Sequence, residues 1–278
     1  MLIAGHYYTL RVERLSDHGL YLGDEEGVQV LLPNRYVSRE NRIGDSIDVF
    51  VYHDSEDRLV ATTDHPLACV GEVAYLKVVD KTIHGAFLDW GLTAKDLFLP
   101  NRNQQGRVEI GRSIVVYLYT DNVTGRVVAT QFLNGFIHNT DLSLKPKQRV
   151  DILVASETPI GYRAVIENRY WGMLYRNQLF QPIAIGDRLS AYVRRITEDR
   201  RVDLILQPSG YEEVQQAAER LLEMMRQGGG RLPLCDHSAP EEIYALTHMS
   251  KKVFKRSMGY LMKRGLVRMD EHETFLTP

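Results

Sequence analysis

The 278-residue sequence predicts a mostly β chain: three five-stranded barrels in tandem, followed by a small α+β domain. Three observations carry that expectation. Three glycine-anchored blocks repeat one pattern of apolar alternation, each block holds five short β-rich runs, and the apolar period lengthens from two to about 3.6 after residue 207.

The first strand of each block is marked by Leu10 and Val12, Leu76 and Val78, and Ile152 and Val154. The second strand opens on the anchor glycines Gly19, Gly85 and Gly161. The third ends on a recurring corner, Leu32-Pro33-Asn34-Arg35 and Leu99-Pro100-Asn101-Arg102, with a weaker echo in Tyr175-Arg176-Asn177. A proline there is compatible with a strand end, where no ladder donor is needed. The fourth strand follows Gly44, Gly111 and Gly186. Its alternating residues are Ile47, Val49 and Val51, then Ile114, Val116 and Leu118, then Leu189, Ala191 and Val193. Leu59 and Ala61, Val127 and Ala129, and Val202 and Leu204 mark the fifth. Alternation in one register means that the same face of each strand is buried in all three blocks. In the second block the runs fall at about 72–79, 85–90, 95–100, 112–120 and 126–131, with turn chemistry in Asp121-Asn122-Val123-Thr124-Gly125. Five strands in roughly 60 residues, with the longest link between strands three and four, suit a closed OB-type barrel. An SH3-like barrel, also five-stranded, remains the alternative. The expected domains are 1–66, 67–145, 146–209 and 210–278.

Beyond Gln207-Pro208-Ser209-Gly210, residues 211–227 read as an amphipathic helix with Val214, Ala217, Ala218, Leu221, Leu222 and Met225 on one side. Gly228-Gly229-Gly230 stops it. Pro240 starts a short helix that ends near Thr247, and Ser250 is a good N-cap for another, from Lys251 to about Arg264, with Gly265 as its stop. Val253, Met258, Leu261 and Met262 are expected to face the core. Two helices and a tight turn, followed by the hairpin LVRMDEHETFL, outline a winged helix. The second of these helices presents a basic surface, Lys251, Lys252, Lys255, Arg256, Lys263 and Arg264.

Charge is unevenly spread. Residues 1–66 carry net −6, residues 67–145 net +1, residues 146–210 net +3, and residues 211–278 are neutral. A polyanion would favour the later part of the chain, since phosphate contacts come from Lys and Arg. No run approaches the ~18 apolar residues of a membrane span, and the N-terminal residues do not read as a secretion signal. Cys69 and Cys235 form no CxxC, which fits a reducing cytoplasm. Chemistry is thinly represented. Cys235-Asp236-His237 is too isolated for a metal site. The acidic pairs Asp54/Asp57 and Glu198/Asp199 sit in turns, where Asp serves the backbone. With no phosphate loop or nucleophile elbow either, no catalytic residue, metal or cofactor is expected.

The stretches IHGAFLDWG, KDLFLP and TDNVTGRVVAT of the second block resemble the S1 RNA-binding domain, an OB-fold. The first block, DHGLYLGDEEGVQVLLP with HDSEDRLVATT, resembles it less clearly, and the third, PIGYRAVIENRYWGMLYRN with RITEDRRVDLIL, is the most diverged. Three such S1-like blocks and a winged helix resemble the bacterial conserved virulence factor B family (CvfB, YitL-like) over essentially the whole chain. That resemblance implies a protein binding single-stranded RNA, with rings stacking on bases across strands two and three and cations reaching phosphates. Carried over by position, the face comprises His84, Phe87, Asp121 and Arg126 in the second block, and His18, Tyr21, Asp54 and Arg58 in the first. In the third it comprises Ile160, Arg163, Thr197 and Arg201. A histidine common at the end of strand three in S1 domains is replaced here by the Leu-Pro corner. The third block lacks the aromatic after its glycine but offers Tyr175, with Arg176 and Arg194 among several added arginines.

The third block and the winged helix are therefore expected to form the main RNA surface, with the acidic first block as scaffold. The expected protein is a cytoplasmic, non-catalytic regulator of RNA metabolism or gene expression, a monomer or weak dimer with no membrane contact. The ribosome, RNA polymerase and RNA-decay machinery are its candidate partners. The competing expectations are a DNA-binding transcriptional regulator using the winged helix, and an adaptor on ribosome or polymerase.

Overall fold

The computed structural model describes residues 2–179, 181–207 and 211–277, with side chains of the last segment from residue 213 onward. The expected boundary between residues 209 and 210 lies outside the described residues. Contacts divide the chain into two units, Met1–His138 and Asn139–Pro278.

In the first unit β1 (His6–Ser16), β2 (Gly19–Gly23), β3 (Gln29–Pro33), β4 (Ser46–His53) and β5 (Leu59–Thr62) close into a barrel in the order β1-β2-β3-β5-β4. The order recurs in β6 (Val73–Lys81), β7 (Gly85–Leu92), β8 (Lys95–Pro100), β9 (Ser113–Thr120) and β10 (Val127–Thr130). In both barrels strand five pairs parallel with strand three, at Leu31–Val60 and Phe98–Val128. That parallel closure is the OB arrangement and decides against the SH3-like alternative. The repeating alternation does what the sequence required: Leu10, Val12, Val49, Val51 and Ala61 are buried inside the first barrel, and Leu76, Val78, Val116, Leu118 and Ala129 inside the second.

The anchor glycines answer a steric demand. Gly19 holds φ +146°, and a Cβ there would lie 2.0 Å from the Leu32 carbonyl oxygen; at Gly85 it would lie 2.4 Å from that of Leu99. β2 and β7 cross their neighbours too closely at this corner for any side chain. The corner itself is fixed by its asparagine. Asn34 Nδ2 donates to the Asp17 carbonyl at 2.6 Å, and Asn101 Nδ2 to the Ile83 carbonyl at 2.7 Å. Each thereby ties the end of strand three to the turn between strands one and two.

Phe50 and Tyr52 occupy the outward face of β4, yet they are 0% and 2% exposed. The second barrel covers them. Phe50 meets Trp90 edge-on with centroids 5.5 Å apart, and Trp90 Nε1 donates to the Ala68 carbonyl at 2.8 Å. Asp64 accepts from Tyr36 and from the Thr93 amide, both at 2.9 Å. The two barrels of this unit thus share one apolar seam.

The second unit holds β11 (Arg149–Thr158), β12 (Gly161–Ile166), β13 (Tyr170–Tyr175), β14 (Arg188–Ile196) and β15 (Val202–Ile205), a third closed barrel of the same order. Leu142 and Leu144 pack on its core, and Asn139 exchanges hydrogen bonds with the Trp171 backbone, so residues 139–145 travel with this barrel. Then follow α1 (Tyr211–Gln227), β16 (Arg231–Leu232), α2 (Pro240–Thr247), α3 (Lys251–Lys263), β17 (Val267–Met269) and β18 (Thr274–Leu276). The three strands form a sheet of order β16-β18-β17, the wing. Ser250 Oγ caps α3 by accepting from the Val253 amide at 3.3 Å, and Gly265 ends it at φ +69°.

One expectation for α3 is corrected. Met262 is 47% exposed, and Phe254, not assigned to the core from sequence, is fully buried. At 100° per residue, Val253, Phe254, Ser257, Met258 and Leu261 form one stripe, and Met262 falls beyond its edge.

Candidate nucleic-acid interface

On the second barrel, His84 stands exposed in the turn before β7, and Phe87 is half-buried beside Phe98, ring centroids 5.2 Å apart. Arg126 reaches across to the first barrel and pairs with Asp57. Asp121 is occupied differently. It accepts from the Thr124 amide at 3.0 Å, the Val123 amide at 3.1 Å and Arg102 at 2.8 Å. The Thr124 bond is the chief reason its carboxyl lies below the usual range. Arg102 of the recurring corner is thus spent on the turn between β9 and β10.

In the first barrel Arg58 is held by Asp54 at 2.8 Å and Glu56 at 3.1 Å, and the Arg14 guanidinium covers the Tyr21 ring, 3.3 Å from its centroid.

In the third barrel Arg163 stacks on Trp171 at 3.9 Å, and burial lowers its pKa from the ordinary arginine value. Tyr175 donates to Asp203 at 3.1 Å; Asp203 is buried and also accepts from Arg195 at 2.5 Å. Arg176 pairs with Glu157 at 2.7 Å and Arg201 with Asp199 at 2.6 Å. Arg194 is exposed on the outward face of β14.

Arg194 opens onto a cationic concavity of this unit. A groove of about 570 Å³ runs between the β14 and β15 face of the barrel and helices α1 and α3, with Arg149, Arg194, Arg220, Lys252 and Arg256 along it. Lys252 and Arg256, four residues apart, share one face of α3. Tyr192 and Gln178 also line the groove, and Gln178 Oε1 is buried with no hydrogen-bond partner among the described residues. Lys251 and Lys255 of α3 are placed elsewhere: Lys251 donates to the Ser238 carbonyl at 2.8 Å, and Lys255 pairs with Asp236 at 3.6 Å. Through Gln181, Met249 and Ser250 the groove joins a second hollow of about 590 Å³, bordered by Tyr162, Arg176, Tyr244 and Lys251.

The structure therefore brings Arg194, Lys252 and Arg256 together, and holds Arg126, Arg58, Arg176 and Arg201 in ion pairs. Sequence reading missed Arg149 and Arg220. Register places Arg149 directly opposite Tyr192, but nothing in sequence reveals that α1 lies over that face. Among the described residues no helix is long and apolar enough to cross a membrane, and no group of three His, Cys, Asp or Glu side chains could hold a metal. Burial pushes the Cys69 thiol up to about 11, which leaves it a poor nucleophile at neutral pH.

Comparison with known proteins agrees with this architecture. The S1 domain family model matches residues 4–64 and 70–131, and the CvfB-like winged helix domain matches residues 219–276. YitL of Bacillus subtilis is 29% identical over 283 residues, spanning 98% of this chain and 93% of its own. Conserved virulence factor B of Staphylococcus saprophyticus is 23% identical over 284 residues, spanning 99% and 95%. A crystal structure of a multidomain protein with nucleic acid binding domains from Streptococcus pneumoniae aligns over 99% of this chain and 98% of its own, at 22% identity and a TM-score of 0.43. With S1 domains leading, a third barrel of the same strand order, a CvfB-like winged helix closing, and relatives similar from end to end, the chain belongs to the conserved virulence factor B (CvfB, YitL-like) family.

Proposed function

We propose that this chain is a non-catalytic, cytoplasmic RNA-binding regulator that holds single-stranded RNA along the groove between its third barrel and its winged helix. The observation that carries this reading is the convergence of Arg149, Arg194, Arg220, Lys252 and Arg256 on one concave surface. Cations in a groove follow a phosphate backbone, and Tyr192, which lines the same groove, supplies a flat ring for a base. The chain's net charge of −2 makes this a local field rather than a general affinity for polyanions. The first barrel, with net charge −6 over residues 1–66, acts as scaffold. Regulation of RNA metabolism or gene expression follows from RNA binding without a catalytic centre, and a virulence role comes from the name of the staphylococcal relatives. Ribosome, RNA polymerase and RNA-decay machinery are the partners such a regulator would meet.

The DNA-reading alternative is disfavoured by one observation: Lys252 and Arg256 of α3, the helix that would enter a major groove, face the third barrel. The test is competition among single-stranded RNA, single-stranded DNA and duplex DNA at ~0.15 M salt, where salt-sensitive contacts still discriminate. Preference for single-stranded RNA is expected. Tight, sequence-dependent duplex binding would overturn the proposal in favour of a transcription factor, and binding of none in favour of a protein adaptor.

A further inference from the structure

The hollow of about 590 Å³ beside the cationic groove differs from it in chemistry. Gln181, Met249 and Ser250 line both concavities, so one runs into the other between the third barrel and the winged helix. The groove carries five cations, whereas the hollow carries two, and both of those are engaged: Arg176 by Glu157 and Lys251 by the Ser238 carbonyl. Glu241 also borders the hollow, where its charge would repel a phosphate. The hollow offers two tyrosine rings in place of free charge. Tyr244 of α2 is half-buried, and His248, one turn later, meets its ring edge-on with centroids 5.6 Å apart. Tyr162 of β12 packs against the barrel core, and the Arg176 guanidinium lies 5.4 Å from its centroid. Tyr162 immediately precedes Arg163, so strand alternation turns it away from the outward face that Arg163 and Trp171 share.

We propose that this hollow holds an unpaired base of the bound RNA: the phosphates follow the cationic groove, and where it passes Ser250 a base turns into the hollow and stacks on Tyr244, with Tyr162 on the opposite wall. A nucleic-acid strand has a charged edge and flat apolar bases, and the two joined concavities divide along the same line. Cations without rings to spare would hold any polyanion, and rings without cations would hold any apolar segment. Their continuity through Gln181, Met249 and Ser250 is what points to a single strand. A duplex keeps its bases paired and stacked within the helix, so it has none to place on Tyr244. The proposal rests on the reading that RNA lies in the groove. It adds that the winged helix contributes a ring from α2 beside the cations of α3, on a side of the third barrel other than its S1-like face.

The test is a double-mutant cycle between the full chain and its RNA, read by calorimetry. The RNA is the shortest mixed-sequence single strand that binds with full affinity, which keeps it from shifting register. It is compared with the same strand carrying an abasic residue at each position in turn. For the wild-type chain, removing the base at one position at least should weaken binding about tenfold, the order of one base stacked on one ring. Tyr244→Leu should weaken the intact strand by a similar factor and leave the salt slope unchanged, since no phosphate contact is lost. At the sensitive position the two losses should not multiply, because each removes the same contact. Tyr244→Phe, which keeps the ring, should bind like wild type, and circular dichroism verifies that each variant is folded. If no position is sensitive, if the losses multiply at every position, or if Tyr244→Phe binds as weakly as Tyr244→Leu, the stacking site is refuted while the RNA reading stands. If no strand binds at all, both fall.

Discussion

At the corner after strand three, asparagine and arginine have separate tasks. Asn34 and Asn101 pin the corner to the preceding turn, while Arg102 reaches forward to Asp121. The third barrel keeps the corner but puts Arg176 where the other two have asparagine, and its backbone amide donates to the Ile160 carbonyl at 3.0 Å. Opposite this corner a Cβ on Gly161 would come 2.0 Å from the Leu174 carbonyl oxygen, whereas one on Gly125 would meet open space. Gly161→Ala should therefore cost about 2–3 kcal/mol in denaturant unfolding, where backbone strain and a clash coincide. Gly125→Ala should cost only about 1 kcal/mol for its left-handed φ. Asp121 makes a pH prediction. Its folded pKa lies below the ordinary 3.8, so its stabilising contribution is complete above that value and is lost as pH falls through the folded pKa. Asp121→Asn should flatten the acid limb of the unfolding midpoint plotted against pH.

Among the elements, strands were the most legible from sequence, because period-two alternation with one apolar face has few alternative explanations. Helix ends were readable because Ser250, Pro240 and Gly265 act locally, through caps and φ preferences. β16 was invisible: two residues carry no period, and the strand exists only by pairing with β18. The interior of α3 shows how a small phase error misplaces a residue, since Met262 lies one step past the buried stripe that Phe254 occupies. Phe254→Ala should destabilise the winged helix by about 3–5 kcal/mol in thermal unfolding. Met262→Ala should change it by less than ~0.5 kcal/mol.

For the whole molecule, what sequence could not reveal is which outward faces are covered. Phe50 and Tyr52 look like ordinary barrel exterior until Trp90 is found against Phe50, and Arg220 looks like a solvated helix residue until α1 is seen beside β14. The candidate residues therefore divide by environment rather than by type. Arg58 and Arg126 are consumed in ion pairs of the first unit, and Arg194, Lys252 and Arg256 share a groove in the second. That division is the core of the functional reading, and the salt dependence of RNA binding tests it most directly. Each phosphate contact to a single strand contributes about 0.7 to the slope of log association constant against log salt. Changing Arg194, Lys252 and Arg256 together to glutamine should make the slope shallower by about 2 and weaken binding at least tenfold. A Tyr21→Ala, Arg58→Gln variant should leave both close to wild type. An unchanged slope in the triple variant, or an equal loss in the first-barrel variant, would contradict the assignment of the RNA to the groove.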